Sequence, residues 1–209
     1  MQHDRERLLD AWLRSKQLIS TLLAPAFVGS IVTAPDLVRV VFGEKWHAAV
    51  LPVQLLSLAG LAQTLVGLHW SILTALKHGG TLLRVNLIVT AVTISAFIAG
   101  LPFGIVGVAG FYAGARWLLV PVDTFMTCRA ISISYWPALR AGAESLPLAA
   151  ATAGIGYGLE RLLIADHVPA VLRLLAVASV MVASYAGLLR VLLPGVFGEI
   201  TSAVRQQLA

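Results

Sequence analysis

The chain alternates long apolar stretches with short polar ones. No Asp, Glu, Lys or Arg lies between Lys16 and Asp36, and a second long apolar stretch runs between Lys45 and Lys77. Further ones cover residues 85–101, 104–128, 141–163 and 168–193. Several approach or exceed the ~20 residues that a helix needs to cross a bilayer. The apolar positions follow one another without period-two alternation, which argues against a membrane β-barrel. Gly43, Gly79-Gly80, the segment 100–104, Pro137 and Pro194-Gly195 punctuate the pattern as turns. The pattern predicts an all-α, polytopic membrane helix bundle of about six transmembrane helices. Residues 1–16 form an amphipathic lead-in, with Leu8, Leu9, Trp12 and Leu13 on one stripe. Residues 17–193 form the transmembrane domain. Residues 194–209 form a tail carrying Glu199 and Arg205.

Composition strengthens this picture. Of 209 residues 58% are hydrophobic and 12% charged, and the mean hydropathy is +0.87. A soluble domain carries roughly 25% charged residues, so too few are present here to cover a water-facing surface. The net charge is +5, but the basic residues stand singly between apolar stretches, which argues against nucleic-acid binding. Six spans put both termini on one side. Outside the spans only Arg39, Lys45, Arg161 and Arg173 fall on the other side, so the positive-inside rule puts both termini in the cytoplasm. Trp46 and Trp70 flank the second span as an aromatic belt would. Arg173 reads as snorkelling at the end of the last span.

Catalytic chemistry has no support in the sequence. Zinc-protease, phosphate-loop and nucleophile-elbow motifs are absent, the five histidines show no ligand spacing, and Cys128 is the only cysteine. No metal, cofactor or enzymatic activity is expected. The chemistry that stands out is Arg116 and Asp123 inside an apolar stretch. Charges at that depth cost roughly 2.5–3.5 kcal/mol on insertion scales and usually face a bundle interior or a wet cavity. A seven-residue separation puts them within ~20° on one helix face and ~10.5 Å apart. Arg116 suits phosphate because its planar fork donates two hydrogen bonds at once. An interhelical polar lock is the competing reading. His69 and Trp70 are candidates for sugar contact, with an interfacial belt as the alternative. Lys77, Arg84 and Arg129 gather near one membrane face, where they fit phosphate or anionic headgroups as well as ordinary topology. Gln54 and Gln63, near one face of the second span, suit interhelical hydrogen bonds as well as they suit substrate contact.

The stretch APAFVGSIVTAPDLVRVVFGEKWHAAVLPVQLLSLAGLAQTLVGLHWSILTALKHGGTLLRVNLI resembles bacterial polysaccharide flippases of the multidrug/oligosaccharidyl-lipid/polysaccharide exporter superfamily. The matching features are a proline-containing span, the FGEKW piece, the LTALK-GG ending and Arg84 opening the next span. Gly104-Ile-Val-Gly107-Val-Ala-Gly110 also looks like the family's start of a following helix. The resemblance covers most of residues 10–130. It implies the C-terminal lobe of a flippase-like fold in the bacterial inner membrane. The implied substrate is a lipid-linked oligosaccharide on an undecaprenyl-pyrophosphate carrier, and the implied partners are membrane lipids and a separate N-terminal lobe. A drug or cation exporter of the same superfamily, with Asp123 as its acidic site, and a non-transporting scaffold or remnant are the alternatives.

Overall fold

The computed structural model describes residues 2–198, with side chains from Glu6 to Gly198. Glu199, Arg205 and the rest of the expected tail beyond residue 198 lie outside the described residues. Among the described residues every regular element is helical: α1 (Gln2–Phe42), α2 (Val50–Thr64), α3 (His69–Ala75), α4 (Gly79–Gly100), α5 (Gly104–Ala130), α6 (Tyr135–Ala143), α7 (Ser145–Ala165) and α8 (Ala170–Leu192). Five stretches are long and apolar enough to cross a membrane. One of them, Gly79–Ala130, contains the two helices α4 and α5, so about six crossings result. The protein is a multi-pass membrane helix bundle.

The lead-in and the first span are one helix of 41 residues. No Gly or Pro precedes Pro25, so nothing interrupts the backbone hydrogen bonds. At 1.5 Å per residue α1 is roughly 60 Å long, about twice a bilayer core. Its early stripe is not left free: Trp12 is buried with Ile72, Leu73, Cys128, Ile131 and Ala138. α1 ends at Gly43, whose φ of 88° belongs to the left-handed region that favours glycine. Gly104, at φ 67°, opens α5 in the same way.

Pro25 and Pro35 lie inside α1. A proline has no N–H, so it leaves the carbonyl four residues earlier without its helical partner. Thr21 and Ile31 are those residues. The Tyr185 hydroxyl donates to Thr21 O at 2.7 Å, and Gln54 Nε2 donates to Ile31 O at 2.9 Å. In lipid, where no water can complete them, freed carbonyls need such partners. Gln54 therefore makes an interhelical bond. Gln63 makes another, to the Tyr112 hydroxyl at 3.1 Å.

The second span breaks between α2 and α3, where Leu65, Val66 and His69 bond back only three residues. Gly67 and the β-branched Thr64 and Val66 are weak helix formers there, and Trp12 Nε1 donates to Leu68 O at 3.0 Å. Pro137 does not break a helix; it sits in the first turn of α6, where a proline is tolerated. Arg173 does not snorkel. It is 11% exposed and forms a two-pronged ion pair with Asp36, which is 3% exposed, joining α8 to α1.

α4 and α5 form an antiparallel hairpin. A Cβ on Gly100 would collide with the backbone of Val108, so glycine permits this close approach. Further along, the rings of Phe97 and Tyr112 lie 5.4 Å apart.

A candidate polar cleft at the broken helix

The break in the second span turns His69 toward α5 and opens a cleft of about 160 Å³ between α2, α3, α4 and α5. Its polar lining is Gln63, His69, Asn86, Arg116 and Asp123, with Trp70 at one side. Arg116 and Asp123 thus share one wall, as their seven-residue spacing predicts. Their surroundings differ. Asp123 Oδ1 lies 2.9 Å from His69 Nδ1 and accepts from the Thr127 hydroxyl at 3.3 Å. Arg116 is half-buried, and among the described residues no hydrogen bond or ion pair occupies its guanidinium.

Behind the cleft the polar chain continues. His69 Nε2 lies 3.3 Å from Lys16 Nζ, and Lys16 Nζ donates to Ala138 O at 2.7 Å. Lys16 and His69 are 1% and 2% exposed. An ionised carboxylate only accepts and an ammonium only donates. With an ammonium on Lys16 and a carboxylate on Asp123, both contacts are hydrogen bonds when the imidazole carries its proton on Nδ1 and its lone pair on Nε2. Trp12 closes the arrangement, its ring 5.7 Å from that of His69 and 5.6 Å from Lys16 Nζ.

The other candidates fall elsewhere. Arg84 and Arg129 are exposed and line a separate cleft of about 310 Å³ with Thr81, Phe125 and Met126. Lys77 lies in the turn between α3 and α4, exposed, with φ 58°, and lines neither cleft. Trp70 is 58% exposed, whereas His69 is buried. Lys16 was missed by sequence reasoning, which treated it as the charged edge of the first span. A signal was present: Lys16 continues the stripe of Leu9, Trp12 and Leu13, with Ser20 a further turn on. Among the described residues no cluster of His, Cys, Asp and Glu could hold a metal ion.

Comparison with known proteins adds what the geometry lacks. A family profile described as "Polysaccharide biosynthesis protein" matches residues 1–51. An uncharacterised membrane protein in the cps region of Klebsiella pneumoniae is 32% identical over 140 residues. That match covers 65% of this chain and 26% of the relative. The lipopolysaccharide biosynthesis protein WzxC of Escherichia coli (strain K12) is 29% identical over 100 residues, or 48% of this chain and 20% of that protein. Over the matched segments the chain is similar to membrane proteins of polysaccharide biosynthesis. Its matches span about a quarter and a fifth of the length of these curated relatives. No solved structure matches it. The profile match takes in the FGEKW segment, one of those that carry the resemblance.

Proposed function

We propose that the chain is part of a flippase that moves a lipid-linked oligosaccharide, on an undecaprenyl-pyrophosphate type of carrier, across the bacterial inner membrane. The remaining lobe would come from a separate segment, and both termini would be cytoplasmic. The observation that carries the reading is Arg116, a guanidinium with no partner among the described residues, on the wall of a polar cleft within a membrane bundle similar to polysaccharide biosynthesis proteins. A charge is costly at that depth unless it has work there. A guanidinium left free can receive a pyrophosphate or an acidic sugar through two parallel hydrogen bonds. Asn86 and Gln63 add neutral donors and acceptors suited to sugar hydroxyls. Trp70 offers a ring at the same wall. Arg84 and Arg129, in their separate cleft, form a second place for phosphate to rest near one membrane face.

Transport fits the cleft better than hydroxyl or thiol catalysis does, since its described lining holds no Ser, Thr or Cys beside His69. It also fits better than cation export. Asp123, the acidic residue such an exporter would use, is already engaged by His69 and Thr127.

The test is complementation. Co-expression of the chain with an N-terminal flippase lobe in a strain lacking its polysaccharide flippase restores surface glycan. Arg116→Ala, made at equal abundance in the membrane, abolishes that rescue. Full rescue by the alanine variant removes Arg116 from the mechanism. A change in drug susceptibility without restored glycan replaces this reading with the exporter.

A further inference from the structure

The chain Lys16–His69–Asp123 is not explained by substrate contact alone, because Lys16 does not line the cleft and His69, at its wall, is 2% exposed. Its hydrogen bonds follow a single pattern. Asp123 accepts from His69 Nδ1, His69 Nε2 accepts from Lys16, and Lys16 also donates to Ala138 O. The set is complete with a neutral imidazole between one ammonium and one carboxylate.

We propose that this cluster is a proton-binding site, and that a proton on His69 Nε2 unfastens α1 from α3 and α6. The inference deepens the transport reading and rests on it: the bound proton is the one coupled to passage through the adjoining cleft.

The added proton goes onto the Nε2 lone pair, the acceptor that now holds Lys16. Nε2–H would then face an ammonium 3.3 Å away, a donor against a donor and a cation against a cation. Either Lys16 leaves or the proton does. Lys16 and Trp12, one turn apart, supply the hydrogen bonds from α1 side chains to the α3 junction and to α6. Displacing Lys16 therefore acts on the joint between three elements. The proton's route is Asp123: both it and His69 line the cleft, and its side chain is the more open of the two.

The surrounding charges are few. α1 presents Lys16. α5 presents Asp123, the Cys128 thiol near Lys16, and Arg116 further along the cleft. α4 presents the uncharged Leu82, Val85, Asn86 and Val89, and α6 presents the Ala138 carbonyl. Imidazole is the side chain suited to exchange a proton between about pH 5 and 8.

The experiment replaces His3, His47, His78 and His167 with Gln, leaving His69 as the sole imidazole of the full chain in detergent micelles. Nitrogen NMR reports the tautomer, and hydrogen exchange reports the fastening of residues 9–20 and 135–143. The expected result at about pH 8 is a neutral ring protonated on Nδ1. As the pH is lowered, a second ring proton appears and exchange in both segments rises at least tenfold above that of a His69→Gln chain at the same pH. In Lys16→Met the imidazole binds its proton about tenfold more tightly, because the opposing cation is gone. Exchange in that variant no longer depends on the protonation state.

An imidazole that stays neutral throughout overturns the proposal. So does one that protonates while exchange is unchanged. If His69→Gln does not fold, the wild-type titration and Lys16→Met still decide the matter. No transported molecule enters these measurements. A normal titration beside failed complementation sinks the transport reading alone, and restored glycan beside an inert His69 sinks the proton site alone.

Discussion

Two of the arginines in the membrane-spanning helices of this bundle, Arg173 and Arg116, have opposite surroundings. Arg173 on α8 meets both carboxylate oxygens of Asp36 on α1, and both groups are nearly sealed from outside. Arg116 on α5 meets no carboxylate among the described residues and opens onto a polar cleft. The first arrangement is closed: its donors and acceptors are spent on each other, so its work is to hold α1 against α8. The second is incomplete, and an incomplete charge in a low-dielectric interior is available to something that arrives. The difference lies in completion rather than depth.

The largest expected effect comes from breaking the closed pair. Asp36→Ala leaves a buried guanidinium without its partner, and removing one member of such a pair costs about 3–5 kcal/mol. Denaturant unfolding in micelles measures it. The double change Asp36→Leu with Arg173→Met recovers most of the loss, because two apolar side chains need no partner. A single change as mild as a surface substitution would show that the pair is not holding the helices.

A smaller effect is expected at the proline carbonyls. Tyr185→Phe removes the donor to Thr21 O and leaves a buried carbonyl unsatisfied, at about 1–3 kcal/mol. Pro25→Ala supplies the missing N–H within α1. In a Pro25→Ala background, Tyr185→Phe therefore costs much less, and the double-mutant cycle reads the coupling directly. Additive losses would mean that Tyr185 does not serve the carbonyl Pro25 frees.

These two layers differ in how legible they were. The helices followed from apolar length, and turns followed from Gly43, Gly79-Gly80 and Gly104. Facing of Arg116 and Asp123 followed from a spacing of seven. The partners of charges did not follow, because Asp36 and Arg173 are 137 residues apart and pairing is decided by how helices pack. Arg173 read as a snorkelling end because it sits near the start of an apolar stretch, yet Asp36 continues the buried stripe of Ala24, Val28 and Val32 at intervals of four. Lys16 carried the same signal. A charge in register with an apolar stripe implies a buried partner, and the one-dimensional run of apolar residues hides that register. The break before His69 was hidden for another reason: the apolar run continues through it, and only local propensity at Thr64, Val66 and Gly67 marks it.

The smallest expected effect on stability belongs to Arg116, and it sharpens the contrast most. Arg116→Gln removes a charge that no carboxylate in the described bundle completes, so nothing inside is orphaned by its loss. The same cleft keeps a polar side chain of lower desolvation cost at that position. The change in unfolding free energy should stay within about 0.5 kcal/mol, as for a substitution away from packed or paired groups. Under the transport reading, glycan export should nevertheless fall, since Gln offers phosphate no charge and no two-pronged fork. Measured side by side, Asp36→Ala loses stability and Arg116→Gln loses export. A stability loss for Arg116→Gln comparable to that of Asp36→Ala would mean that the guanidinium is structurally engaged after all, and the open cleft would then be one more lock.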